Sequence, residues 1–148
     1  MSEATEDRRG HCYDLAALYV IEHADEPRLY LCHGWPVLQG DSEHAGSRYG
    51  HAWVEKTTEV RLPYDVDGSM TWIEAKIVDC WNTLTDTWIP QALYYMGGRI
   101  ESDHVTRYSF SEAREMLLAA KDYGPWVDSP YENVAPFRGE TQTPPLNH

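Results

Sequence analysis

The sequence predicts an α+β domain in which an N-terminal helix that bears a cysteine packs on an antiparallel sheet, with a further helix near the C-terminus. The chain of 148 residues has the length of one compact domain. Several short segments alternate apolar and polar residues between turn residues, and two longer segments have helical spacing. With 42% hydrophobic and 12% aromatic residues, the chain has enough apolar material to form a core.

The domain is expected to span residues 10–128. Residues 1–9 contain almost no large apolar side chains and are predicted to be a mobile tail. Residues 129–148 contain four prolines and no periodicity, so we expect an extended C-terminal tail.

The first predicted helix covers residues 11–23 and places Cys12 in its first turn. Leu15, Leu18 and Tyr19 form one stripe of this helix. Asp14 complements the positive end of the helix dipole. The helix is expected to stop by residues 25–27.

Two further helices are predicted in the second half of the chain. Ser109 and Glu112 have the spacing of a capping box, which indicates a helix over residues 110–122 that stops before Gly124. Pro90 at the head of QALYYMGG predicts a short helix closed by two glycines.

Strands are predicted at residues 29–33, 49–55 and 71–81, with a weaker arm from Lys56, a turn-rich piece at 63–69 and a last strand from His104. Alternation puts His51 and Trp53 on one face of the second strand. In the third strand Asp79 shares a face with apolar residues, which are Ile73, Ala75 and Ile77.

The three cysteines, Cys12, Cys32 and Cys80, are an odd number, so a disulfide framework is not expected. The helix dipole lowers the pKa of a thiol in the first turn of a helix, and a neighbouring imidazolium lowers that pKa further. The candidates for nucleophile, base and orienting group are therefore Cys12, His51 and Asp79, on three separate elements that can converge. Taken singly, each of these three candidates is more commonly a structural residue than a catalytic one.

In order along the chain, Cys12 at a helix start, YGHAWVE, IVDCWN and ALYYMGG resemble the papain-like and transglutaminase-like cysteine hydrolases. The segment is similar to small phage and bacterial proteins with a Cys, His-Ala-Trp and Val-Asp pattern. The resemblance covers about residues 10–98. Cys80 and Trp81 depart from the Pro-Thr-Trp of that pattern, and Cys32-His33 replaces a glutamate before glycine.

The resemblance implies a thiol-dependent hydrolase that cleaves a peptide, isopeptide or side-chain amide bond, with a protein or peptide as substrate. Cys12 would be the nucleophile, His51 the general base and acid, Asp79 the orienter, and the Cys12 N–H an oxyanion donor. The alternatives are transglutaminase-type acyl transfer, or a catalytically silent binding or inhibitor module that acts on a host protein.

Two other interpretations concern metals and aromatic residues. His11-Cys12 and Cys32-His33 are zinc-ligand types, but neighbouring strand residues point to opposite faces, so we expect no metal and no cofactor. Of the aromatic residues, which usually belong to a core, those predicted to line a substrate cleft are Trp35, Trp53 and Trp81.

The charge excludes some partners. The chain has 12 basic and 24 acidic residues and a net charge of −12, so nucleic acid and anionic membranes are not expected as partners.

The chain has no long apolar run, and its first residues, MSEATEDRRG, do not resemble a secretory signal. These features predict a cytoplasmic protein, located in the host cytoplasm if it is phage-encoded.

Overall fold

The structure is a computed structural model that describes residues 11–41, 43–132 and 134–135. The predicted tail at 1–9 and most of the predicted tail at 129–148 lie outside these residues. The elements in chain order are α1 (Cys12–Glu22), β1 (Leu29–Gly34), β2 (His51–Val66), β3 (Ser69–Asn82), β4 (Thr87–Pro90), α2 (Gln91–Gly98), a 3-10 turn (Ser102–His104), β5 (Thr106–Tyr108) and α3 (Phe110–Ala120).

The five strands form one antiparallel sheet in the order β4-β3-β2-β1-β5. Alternation along β2 places Ala52 and Val54 on one side of the sheet and Trp53 and Glu55 on the other. We call these sides the α1 face and the α2 face. The α+β class and the cysteine-bearing N-terminal helix on an antiparallel sheet are confirmed.

The α1 face carries the larger core. Helices α1 and α3 pack their buried residues against it because small side chains let the helix backbones approach the sheet closely. The helix residues in this core are Tyr13, Ala16, Ala17, Val20, Ala113 and Leu117, and the sheet residues include Leu29, Leu31, Ala52, Val54, Trp81 and Tyr108.

The α2 face carries a smaller core. Cys32, Trp53 and Cys80 from the three central strands are fully buried there. Tyr94 and Tyr95 of α2 pack against them. Helices therefore cover both faces at the base of the sheet.

The hairpin of β2 and β3 is longer than predicted. The arm from Lys56 does pair with β3, which confirms that part of the prediction. The expected turn-rich piece at 63–69 is wrong, because the turn is confined to Asp67 and Gly68, both with positive φ (50° and 79°). Pro63 lies within the strand, which it can do because, among the described residues, β3 is the only strand that pairs with this part of β2.

The remaining boundaries shift by a few residues. The second strand begins at His51 instead of Tyr49, and β4 was not predicted. The capping box of Ser109 and Glu112 is present, and α3 ends at Ala120 because Lys121 takes the left-handed conformation.

The other ends shift for a similar reason. Helix α2 ends at Gly98, where Arg99 takes the left-handed conformation. The last strand is shorter than predicted, since His104 belongs to the 3-10 turn.

Candidate active site

Cys12 is the first residue of α1, as predicted. Its side chain is only partly exposed. Main-chain N–H groups of Ala52, Tyr13 and Cys12 itself lie near enough to the sulfur to lower its pKa. These N–H groups favour a negative charge on the sulfur, since they present the positive ends of their dipoles to it.

Burial nevertheless dominates the titration of this thiol. Removal of the sulfur from water raises the pKa of Cys12 to about 11, and the nearby Asp14 carboxylate also raises it. The three N–H groups lower this pKa by less than burial raises it. At neutral pH the resting side chain is therefore a thiol, contrary to the expectation of a lowered pKa.

His51 is the first residue of β2, and its ring lies among aromatic side chains. Its Nε2 is 2.8 Å from Oη of Tyr94, a residue of α2. The rings of Tyr49 and Trp53 lie at centroid distances of 5.8 Å. Burial lowers the pKa of His51 to about 4, so the imidazole is neutral at pH 7.

The structure brings Cys12 to the start of β2. Its sulfur lies near the main-chain N–H of Ala52, the residue next to His51 in the chain. Within the residues that the structure describes, the Cys12 sulfur and the His51 ring share no hydrogen bond. Cys12 packs against the core of the α1 face, whereas His51 lies on the α2 face, so the two side chains do not form a thiolate–imidazolium pair.

Asp79 does not belong to this locality. In the register of β2 and β3 it lies opposite Lys56, five residues from His51 and on the α1 face. His51 is on the α2 face, about 16 Å away along the strand. The prediction that Asp79 orients His51 is therefore wrong, because both the face and the register separate the two side chains.

Asn82, three residues beyond Asp79 on β3, lies closer to His51. Continuing the register by one residue places it opposite Trp53 on the α2 face, about 7 Å from His51 in diagonal spacing. Its Oδ1 accepts main-chain hydrogen bonds from Leu84 (2.9 Å) and Thr85 (3.3 Å). Without the register, the sequence does not distinguish Asn82 from Asp79.

A cavity of about 480 Å³ opens beside His51. Most of its wall is apolar and comes from residues 36–39, α2 and β4. Its polar side chains include Tyr49, His51, Asn82 and Tyr94, whereas Cys12 does not line it. An apolar cavity with a few convergent polar groups is typical of a binding site for a small molecule or a side chain.

The three tryptophans predicted to bind substrate are core residues. Trp35, Trp53 and Trp81 are buried, and none of them lines the cavity. The indole of Trp53 donates to Glu55 Oε2 (3.0 Å), and that of Trp81 donates to Asp86 Oδ1 (2.8 Å). Their prediction as cleft residues is corrected, because all three side chains are buried away from the cavity.

A buried carboxylate that the sequence analysis missed lies on the same face. Glu55 is 2% exposed and accepts hydrogen bonds from side chains on β2, β3, α2 and β5. Its donors are Trp53, Cys80, Gln91, Tyr95 and Arg107. This cluster links α2 to the sheet and thereby holds Tyr94 next to His51.

The zinc interpretation gains no support from the geometry. Cys32 lies in the core of the α2 face, whereas the adjacent His33 contacts Tyr13 and Tyr108 on the α1 face. Nδ1 of His11 lies 3.2 Å from Oδ2 of Asp14 at the start of α1. Within the described ranges, His, Cys, Asp and Glu side chains form no group of three or more suited to a metal ion.

Comparisons of the chain with known protein families, curated proteins and solved structures find no match. In the described part of the chain, none of the helices combines the length and the hydropathy needed to cross a membrane.

Proposed function

We propose that the protein is a thiol-dependent hydrolase of peptide, isopeptide or side-chain amide bonds, with Cys12 as nucleophile and His51 as general base. The observation that carries this proposal is the position of the Cys12 sulfur at a helix start, near the main-chain N–H of Ala52, the residue next to His51. The likeness in element order to papain-like and transglutaminase-like hydrolases supports it. Asp79 has no part in it.

The resting protonation states suit a neutral thiol–imidazole pair. His51 is unprotonated at pH 7 and can accept a proton, while Cys12 holds the proton to be transferred. In the tautomer that fits this role, Nε2–H donates to Tyr94 Oη, which leaves the Nδ1 lone pair for the thiol proton. Tyr94 is then a positioning residue.

The reaction has two halves. The sulfur attacks the carbonyl carbon as its proton moves to His51, and the C–N bond then breaks as His51 returns the proton to the leaving amine. Water next attacks the thioester as it gives a proton to His51. The C–S bond then breaks as His51 passes that proton to the sulfur, which releases the acid and regenerates the thiol. An amine in place of water would give acyl transfer.

The first test uses p-nitrophenyl acetate as an activated acyl donor. The full chain should release a burst of about one equivalent of p-nitrophenolate, followed by slow turnover. Cys12→Ala should abolish the burst and His51→Gln should slow it at least about a hundredfold. His104→Gln, an exposed histidine outside the cavity, is the matched control and should leave the burst unchanged.

The pH dependence of acylation tests the role of His51. Because its pKa is about 4, the rate should fall only as the pH approaches 4, with no inflection near 6.5. Tyr94→Phe should slow acylation and shift that acidic inflection, since the ring loses its hydrogen-bond partner. A full burst in Cys12→Ala would refute the proposal.

A second candidate is a binding module without turnover. The thiol of raised pKa and the cavity that excludes Cys12 favour it. Under this candidate p-nitrophenyl acetate gives no burst, and iodoacetamide alkylates Cys12 at pH 7.5 at the same slow rate in the wild type and in His51→Gln. The hydrolase instead predicts slower alkylation in His51→Gln.

A further inference from the structure

The ring of His33 lies in a cage of aromatic side chains on the α1 face. His33 belongs to β1 and is 2% exposed. Its ring centroid lies 4.9 Å from that of Tyr13 in α1 and 5.2 Å from that of Tyr108 in β5. The indole of Trp126, a residue beyond α3, lies at a centroid distance of 4.9 Å. The proposed catalytic pair does not include this histidine.

The cage suits only the neutral form of His33. Both ring nitrogens are buried, and neither has a hydrogen-bond partner among the described residues. The hydroxyl of Tyr108 in the same cage is also buried and unpartnered within those residues. Buried polar groups are normally hydrogen-bonded, so two such side chains in contact are an exception that needs a cause. A protonated ring would add an uncompensated charge and a second N–H donor to this site.

One wall of the cage is formed by residues 122–128, which follow α3 and contain neither helix nor strand. We call this segment the strap. A Cβ built on Gly124 would lie 2.8 Å from Cε1 of His33, so the strap backbone lies directly against the ring. The Trp126 indole also contacts the Tyr108 ring, at a centroid distance of 5.1 Å. The strap thus separates His33 from water.

Packing, and not hydrogen bonding to the sheet, holds the strap in place. Within the described part of the chain its hydrogen bonds are internal: Asp122 accepts from the Gly124 N–H (3.0 Å) and from the Trp126 indole (3.1 Å). Tyr123 and Trp126 pack against the larger core. A segment held by a few side chains can open locally while the helices and the sheet stay intact.

We propose that His33 is a pH-sensitive switch for the strap: protonation of its ring releases residues 122–128 while the sheet and the helices remain folded. This device is independent of the proposed hydrolase activity. Burial under the docked strap lowers the pKa of His33 to about 3, whereas a ring that meets water titrates near 6.5. The released form therefore binds the proton more tightly, and a falling pH favours it.

The titratable groups in contact with His33 do not offset its charge. Tyr13 and Tyr108 are neutral at and below pH 7, because burial raises the pKa of each. On the neighbouring strand β2, a positive charge on His51 would lower the pKa of His33 further. Protonation of both histidines at once would therefore add repulsion to the cost of burial.

Two acidic side chains belong to segments around the cage. The Asp122 carboxylate accepts hydrogen bonds from N–H groups of the strap itself. Glu112 of α3 lies near Tyr108, whose pKa it raises. Neither carboxylate forms a hydrogen bond with the ring of His33. A buried imidazolium thus has no acceptor among the described residues, and release of the strap is the way to hydrate it.

Fluorine-19 NMR of the full chain labelled with 5-fluorotryptophan tests the switch, since Trp126 leaves its aromatic contacts on release. Trp126→Phe assigns the resonance. The ratio of released to docked strap should rise about tenfold per pH unit between about pH 6 and 4, because release takes up one proton. A docking preference of about a hundredfold at pH 7 places half release near pH 4.5. The other tryptophan resonances should change only at a pH at least about half a unit lower.

Two variants separate His33 from the nearby carboxylate. His33→Leu should hold the Trp126 resonance at its neutral-pH position down to the pH of unfolding, because the new side chain does not titrate and its introduction breaks no hydrogen bond. Asp122→Asn is the matched control: it removes the titrating group of the strap, keeps an oxygen acceptor, and should retain the acid transition.

The order of the transitions in the wild type decides the case in which His33→Leu does not fold. A Trp126 resonance that changes only together with the other tryptophans, or not at all down to about pH 3.5, would overturn the proposal. Persistence of the transition in His33→Leu, or its loss in Asp122→Asn, would also overturn it.

Discussion

Glu55 shows how one buried side chain organises the α2 face. Its carboxylate receives Arg107 Nε at 2.9 Å and Gln91 Nε2 at 3.1 Å on Oε1, while Oε2 receives the Trp53 indole. Because a buried carboxylate is costly without partners, these elements must assemble together for the chain to fold. The cluster raises the pKa of Tyr95 through burial and through its hydrogen bond to Glu55.

Two buried histidines make stability depend on pH. Burial lowers the pKa of His33 to about 3 and that of His51 to about 4, while an unfolded histidine titrates near 6.5. Between these values the unfolded chain binds more protons than the folded chain. Stability is therefore fully present above pH 6.5 and is lost as the pH falls towards 4.

We expect the free energy of unfolding to fall between pH 6 and 5 with a slope that approaches about 2.7 kcal/mol per pH unit, from two protons. His33→Gln should remove about half of this slope, since the amide does not titrate. Urea unfolding at several pH values measures it, with the exposed His104→Gln as control. An unchanged slope in His33→Gln would show that this side chain titrates normally.

At the scale of elements, the sequence of four consecutive residues predicted the capping box of α3. The Ser109 hydroxyl accepts the Glu112 N–H at 3.2 Å, and the Glu112 carboxylate accepts the Ser109 N–H at 3.0 Å. Both contacts are local, so they depend on sequence spacing and not on the rest of the fold. Helix α3 in turn buries Ala113 and Leu117 in the larger core.

Ser109→Ala should lower the free energy of unfolding by about 1 kcal/mol, because it leaves the N–H of Glu112 without its acceptor. Ser111→Ala, an exposed change to a better helix former in the same turn, is the matched control and should leave stability unchanged or slightly higher. Urea denaturation of the three proteins gives the comparison. Equal stability of both variants would contradict the role of the cap.

Strand register is the property of the elements that the sequence could not supply. Alternation correctly put His51 with Trp53, and Asp79 with the apolar row of β3. It did not show which residues of β3 lie on the same side of the sheet as His51. That depends on the strand register, which the turn at Asp67 and Gly68 sets. Asp79 was predicted as orienter for that reason, whereas Asn82 shares the face and the cavity of His51.

At the scale of the whole molecule, the charge acts against the folded state. A net charge of −12 concentrates repulsion when the chain becomes compact. The pair of buried Glu55 and partly exposed Arg107 is screened less by salt than the exposed pair of Arg28 and Glu59. Salt should therefore weaken the net repulsion by more than it weakens the attraction within the ion pairs.

Raising NaCl from 20 to 500 mM at pH 7.5 should increase the free energy of unfolding by about 1 kcal/mol. Chemical unfolding by urea, which leaves ionic strength under control, is the measurement. A repeat near the calculated isoelectric point of 4.8 should show a smaller increase, because little net charge remains. Lower stability in high salt would mean that surface ion pairs outweigh the net repulsion.

The sequence by itself determined the α+β class, the cysteine at the start of α1, the cap of α3 and the faces within each strand, because all of these depend on composition or on residues a few positions apart. Only the tertiary structure decided that Asp79 lies away from His51, that Tyr94 and Asn82 lie near it, that burial keeps Cys12 a thiol, and that the outer part of the β2–β3 hairpin is exposed among the described residues. Register, desolvation and contact between distant elements arise when the chain packs, and local spacing does not encode them.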